Sequence, residues 1–149
     1  MYFTWFISLI GLVFIKNIVP SRRLISLEFR AFSMAKKVII DTNFLVECIR
    51  FKIDLFSEID RLLIYHELFI LDRALEELSR IKIKERALLK KFLEKFKIID
   101  TSSYSNLGVD DIITKLSEDY VIATQDKELK RRLKGQKIII RQKKYLELK

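Results

Sequence analysis

Asp41 stands at the end of the run Val38-Ile39-Ile40 in "KKVIIDTNFLVE", before Thr42, Asn43 and a helix-like apolar pattern. An acid that closes a buried strand is unfavourable unless something positive meets it. Other acids sit at comparable places. Asp126 ends "YVIATQD", Asp110 and Asp111 open "VDDIITKL", and Glu76 and Glu77 lie within "RALEELSRI". If the strands run parallel, these acids gather at one sheet edge, where ligand sites of open α/β sheets lie. Carboxylates that close repel one another and call for a cation. Oxygen-only donors suit Mg²⁺ or Mn²⁺. Such an ion activates water and stabilises charge on a phosphate undergoing displacement.

Each acid also has a plain reading. Asp72, Asp110 and Asp126 can be helix N-caps. Asp100 can start a turn. Glu76 and Glu77 are neighbours on a helix and do not share a face, so at least one faces solvent. Asp41 is the exception, because a strand-ending acid followed by Thr and Asn has no such simple use.

The elements that must position these acids alternate along the chain. Short apolar runs predict strands at 37–41, 67–72, 97–100 and 137–141, and a strand and turn at 120–126. Amphipathic spacing predicts helices at 43–51, 54–66, 73–82, 84–96, 109–119 and 127–134, the last stopped by Gly135. Near-continuous Val/Ile strands between helices predict an α/β fold, a central parallel sheet covered on both faces. Strand order is not readable from this pattern.

Composition narrows the chemistry. The 149 residues include one Cys, one His, three Gly and one Pro. A disulfide framework and a Cys₂His₂-type zinc site are therefore excluded. Cys48, among Leu45, Val46 and Ile49, reads as a small buried hydrophobe. The net charge of +9 favours a polyanionic partner, nucleic acid or a membrane surface.

Residues 1–33 differ in character. Residues 1–19 are almost wholly apolar, and Pro20, Arg22 and Arg23 follow. The run before Lys16 is shorter than the ~20 residues of a membrane span, and it lacks the flanks of a signal peptide. Three readings fit: a translated upstream region with Met34 as the start, a marginal membrane anchor, or an extra helix. The first is preferred, which makes a membrane partner the weaker expectation. With the four bases and one acid of residues 1–33 set aside, 25 bases and 19 acids remain, a net charge of +6.

Taken in order, "VIIDTNFLVE", "ALEELSRI", "VDDIITKLSEDYVIATQDKELKRRLK" and "IIIRQKKYLEL" resemble a PIN-domain nuclease over residues 36–149. The likeness is closest to archaeal PIN proteins of the VapC-type toxins and the Fcf-type ribosomal-RNA processing nucleases. It implies a three-layer α/β/α domain over 34–149 and a metal-dependent, cytoplasmic endoribonuclease. By resemblance, Asp41, Glu77, Asp111 and Asp126 are the metal-binding and catalytic acids, with Asp110 a contender for the third place and Glu76 the weaker choice for the second. Asn43 and Thr124 would support them. Lys130, Arg131, Arg132, Arg141, Lys143 and Lys144 would grip RNA phosphates, though a solvated basic helix and tail is an equal reading. The resemblance further implies Mg²⁺ or Mn²⁺, an antitoxin protein or pre-ribosome as partner, and a homodimer as the default. Gln125 replaces a frequent Asn and Asp72 a frequent Pro, and neither change removes a charge. A non-cleaving RNA-binding module in ribosome assembly is the alternative.

Overall fold

A computed structural model of the chain describes residues 35–80 and 86–149. The readings of residues 1–33, and the ends of two predicted helices at 81–85, lie outside the described residues. Among the described residues, no helix is long and apolar enough to cross a membrane.

The element order is β1 (Lys36–Ile40), α1 (Thr42–Arg50), α2 (Leu55–Leu62), β2 (His66–Leu71), α3 (Asp72–Arg80), α4 (Arg86–Leu93) and β3 (Lys97–Ile99). A 3₁₀ turn (Ser102–Tyr104), α5 (Val109–Leu116), β4 (Val121–Ala123), α6 (Lys127–Arg132), β5 (Lys137–Arg141) and β6 (Tyr145–Leu148) follow. The strands form one sheet in the order β3-β2-β1-β4-β5-β6.

β1 is the sheet's spine. It pairs in parallel with β2, Val38 opposite Leu68, and with β4, Ile40 opposite Ala123. Val38 and Ile40 face one side and Ile39 the other. All three are at most 1% exposed, so both faces of the sheet are covered. From β1 the chain moves outward to β2 and β3, then returns to β4 on β1's other side. That reversal opens a crevice at the carboxyl ends of β1 and β4.

Several helices end earlier than their sequence-based expectation, and two elements differ most. The helix expected over 54–66 stops at Leu62, because Leu63 is extended and the chain enters β2 at His66. The Lys36 amide donates to the Tyr65 carbonyl at 2.9 Å and draws that segment alongside β1. β6 was not expected at all. It pairs antiparallel with β5, Ile140 opposite Leu146, so the sheet is mostly rather than wholly parallel. Gly135 does more than stop a helix, which already ends at Arg132. A Cβ there would collide with the Ser117 carbonyl, so only glycine lets these two backbones meet.

The outer edge of β6 is capped by side chains. Glu58 accepts from the Leu146 amide at 2.7 Å, and Arg61 donates to the Leu146 carbonyl at 2.7 Å. Arg61 also pairs with Glu58. One ion pair on α2 thus satisfies the Leu146 peptide groups that an edge strand would otherwise leave open. Glu58→Ala should leave the Leu146 amide unpaired and lower stability by about 1–3 kcal/mol. Urea unfolding, with the exposed Glu94→Ala as reference, checks this.

Candidate active site

Asp41 follows β1 directly and lies at the crevice. It is 9% exposed. Its amide donates to the Ala123 carbonyl at 3.0 Å, which ties it to β4. The Thr124 hydroxyl donates to Asp41 Oδ2 at 2.8 Å and accepts from the Asp126 amide at 3.2 Å. One fully buried hydroxyl therefore links the ends of β1 and β4.

The electrostatics of Asp41 are adverse. Burial raises its carboxyl above the ordinary value, the Thr124 hydrogen bond opposes this, and the charges of Asp110 and, less strongly, Glu77 raise it again. The Asn43 backbone amide gives partial relief. The sequence offers Asp41 acids as neighbours, and no base is prominent among the groups acting on it. Next to it, Thr42 is 4% exposed, and among the described residues its buried hydroxyl has no hydrogen-bond partner.

The other acids arrive on different elements. Glu77 is on the exposed side of α3, as is Glu76, and only Glu77 acts prominently on Asp41. Asp110 and Asp111 lie in the first turn of α5, whose N-cap is Gly108, so Asp110 is not a cap. Asp110 acts on Asp41, whereas Asp111 is paired with Arg132. Asp126 does cap α6, with Oδ1 accepting from the Leu129 amide at 2.8 Å. Asp100 starts a turn, accepting from the Ser102 amide at 2.8 Å. Among the described residues, no three acids stand close enough to hold a metal ion as they are placed. The donor chemistry still fits a hard divalent cation. The nearby groups are carboxylates, of which Asp110 and Glu77 destabilise the charge of Asp41, and among the described residues the Thr42 hydroxyl beside them has no partner.

A clamp that sequence reasoning missed holds α5 in place. Asp72 accepts from the Thr101 amide at 3.1 Å and from the Thr101 hydroxyl, rather than capping a helix. Arg73 donates to the Leu107 carbonyl at 2.6 Å and the Tyr104 carbonyl at 3.3 Å. The loop leading to Asp110 is thus anchored to the end of β2. No local signal marks this, since the partners lie about thirty residues apart.

The expected RNA-gripping residues divide in two. Arg132 and Arg141 are engaged with Asp111 and Glu147. Lys130 is half-buried, and burial lowers its ammonium below the ordinary value. Arg131, Lys143 and Lys144 are exposed. A cleft of about 440 Å³ runs beside the acids, lined by Asn43, Val46, Glu47, Arg50, Gln125 and Asp126. Gln125 forms its floor support. Its amide donates to the Ile140 carbonyl at 2.9 Å and accepts from the Ile140 amide at 3.1 Å, prolonging the β4–β5 pairing with a side chain. Asn43, Glu47 and Arg50 share one polar stripe at helical spacing, a signal that was present in the sequence.

Residues 38–143 match the family model described as a PIN like domain. The chain is 36% identical over 125 residues to Ribonuclease VapC4 of Methanocaldococcus jannaschii, across 75% of this chain and 95% of the relative. Its fold is similar to that of the PIN domain endonuclease Utp24, with a TM-score of 0.64 and 28% identity over 76% of this chain and 90% of that one.

Two outcomes follow from the site's electrostatics. A raised folded-state pKa means that Asp41 favours the fold only while protonated. Its ionisation therefore weakens the fold at neutral pH, and Asp41→Asn should melt higher than the native chain in chelator at pH 7. The difference should close as pH falls toward the ordinary value of 3.8; thermal melts across that range measure it. Burial, with the Glu47 charge, pushes the Cys48 thiol up to about 12. The folded protein should resist iodoacetamide at pH 8 and react only once unfolded, as mass spectrometry would show.

Proposed function

Because this chain belongs to the PIN-like domain family, we propose that it is a divalent-metal-dependent endoribonuclease that hydrolyses phosphodiester bonds in RNA. The observation that carries the reading is Asp41, a buried carboxylate at the sheet's reversal point, held by Thr124 and facing other acids. Asp41, Asp110, Glu77 and Asp126 would hold Mg²⁺ or Mn²⁺, with Asp110 preferred to Asp111 because Arg132 already engages the latter. When bound, the ion supplies a water nucleophile at neutral pH and charge stabilisation at phosphorus.

The chain's own residues set the geometry. Thr124 fixes Asp41 Oδ2 by donating to it, and the Asn43 backbone amide adds a second donor to the carboxylate. Asp126 uses one oxygen to cap α6, and its amide is tied to the Thr124 hydroxyl. Asp72 and Arg73 keep α5 in register with β2. The basic residues around this edge attract the polyanionic strand. Ribonuclease VapC4 supports RNA as the substrate class. Both settings implied by the resemblance, a toxin restrained by an antitoxin or a pre-ribosomal nuclease, use the same chemistry. A cytoplasmic site of action belongs to the same proposal.

Asp41→Asn should lower cleavage of a fluorescent single-stranded RNA in Mn²⁺ by about two to three orders of magnitude, the scale of losing one electrostatic group. Circular dichroism should show the fold retained. Undiminished cutting by the purified variant would falsify the assignment. Metal-independent RNA binding without cleavage by the native chain would favour the non-cleaving module instead.

A further inference from the structure

We propose that the cleft beside the acids continues past Arg50 to a basic corner built from Lys52 and Lys143, and that this corner binds backbone phosphates of the RNA strand flanking the scissile one. The inference rests on the nuclease reading for the identity of the strand. Its basis is the backbone.

Among the described residues, three non-glycine residues have a left-handed backbone: Lys52 at φ 55°, Gln142 at φ 51° and Lys143 at φ 55°. Lys52 follows the end of α1. Its amide donates to the Ile49 carbonyl at 3.1 Å and the Ile53 amide to the Cys48 carbonyl at 2.9 Å. That is the Schellman pairing, whose left-handed position is normally glycine. Gln142 and Lys143 are the central residues of the β5–β6 turn, closed by the Lys144 amide on the Arg141 carbonyl at 2.9 Å. Two positive φ values there define a turn that favours Asn-Gly. Of these three positions, two carry lysine, one at the helix end and one in the hairpin turn, and the third carries Gln142. Strain of this kind gathers where a side chain has a function.

The two positions also meet in space. The Lys143 ammonium lies 5.4 Å from the centre of the Phe51 ring, so the hairpin tip leans on the corner from which Lys52 departs. Arg50, Lys52, Lys143 and Lys144 are all exposed. Among the described residues, no carboxylate lies within ion-pair distance of any of the four, unlike Arg132 and Arg141. Arg50 joins the corner to the site, because it lines the same cleft as Asn43 and Asp126. From Asn43 to Arg50 is about 10 Å along the helix. Glu47 in the cleft wall acts weakly on Lys130. A flexible chain of phosphates matches such a track of unpaired cations leading from the acids.

The test is fluorescence anisotropy of a fluorescein-labelled oligouridylate on the full chain with EDTA present, so that nothing is cut. Asn accepts the left-handed backbone, so the double variant Lys52→Asn/Lys143→Asn should melt no lower than the native protein. Its affinity should fall about tenfold, and the slope of log K against log salt should become shallower by about 1.4, or ~0.7 for each lost contact. The double variant Lys52→Arg/Lys143→Arg, which keeps charge on the same backbone, should retain binding. Lys91→Asn, on α4, should also retain it. Unchanged affinity and slope in the Asn variant, or equal loss in the Arg variant, would overturn the proposal. Cleavage by the Mn²⁺-loaded native chain decides the nuclease reading separately. A chain that cuts but shows no lysine effect loses only the corner, and one that shows the effect but never cuts keeps the corner and loses the nuclease.

Discussion

The hydroxyl of Thr124 on the carboxylate of Asp41 is the contact on which the site depends. It joins the ends of the two central strands at the place where the sheet reverses its winding. A buried carboxylate without donors would be forced to protonate or to leave. Thr124 keeps it in place with one oxygen satisfied, while Asp110 and Glu77 keep it electrostatically unsatisfied. The fold tolerates that imbalance because the surrounding strands are deeply buried and paired in register.

Around this contact the chain distributes its charges unevenly. Some bases are consumed internally: Arg73 on two loop carbonyls, Arg61 on a strand edge and on Glu58, Arg132 on Asp111. They position elements and have less to offer a ligand. Among the described residues, others stand with no carboxylate in reach, notably Lys143 and Lys52, and do so on a strained backbone. A net positive charge therefore says little until its cations are sorted by what they already hold.

The same economy governs the sheet's edges and turns. The β6 edge is closed by an ion pair on a helix, and the missing backbone partner beyond β4 is supplied by the Gln125 amide. Both devices replace peptide groups with side chains. They let a short strand stay in register beside a crevice that must remain open at its mouth.

The sequence by itself determined the elements and the class of fold. Val/Ile runs are legible as buried parallel strands because burial on both faces removes any need for alternation, and the acid after Val38-Ile39-Ile40 stands out against them. The PIN-family resemblance was equally legible, since it rests on ordered local motifs. What only the tertiary structure decided was who meets whom. Strand order, the pairing of Asp111 with Arg132, the reach of Asp72 to Thr101 and the existence of β6 all join residues remote in sequence or depend on a partner strand. "YLEL" is a weak strand signal until β5 lies beside it. Asp110 and Asp111 are indistinguishable as letters, and a helix turns adjacent side chains by 100°, so the docking of α5 alone decides which one faces Asp41.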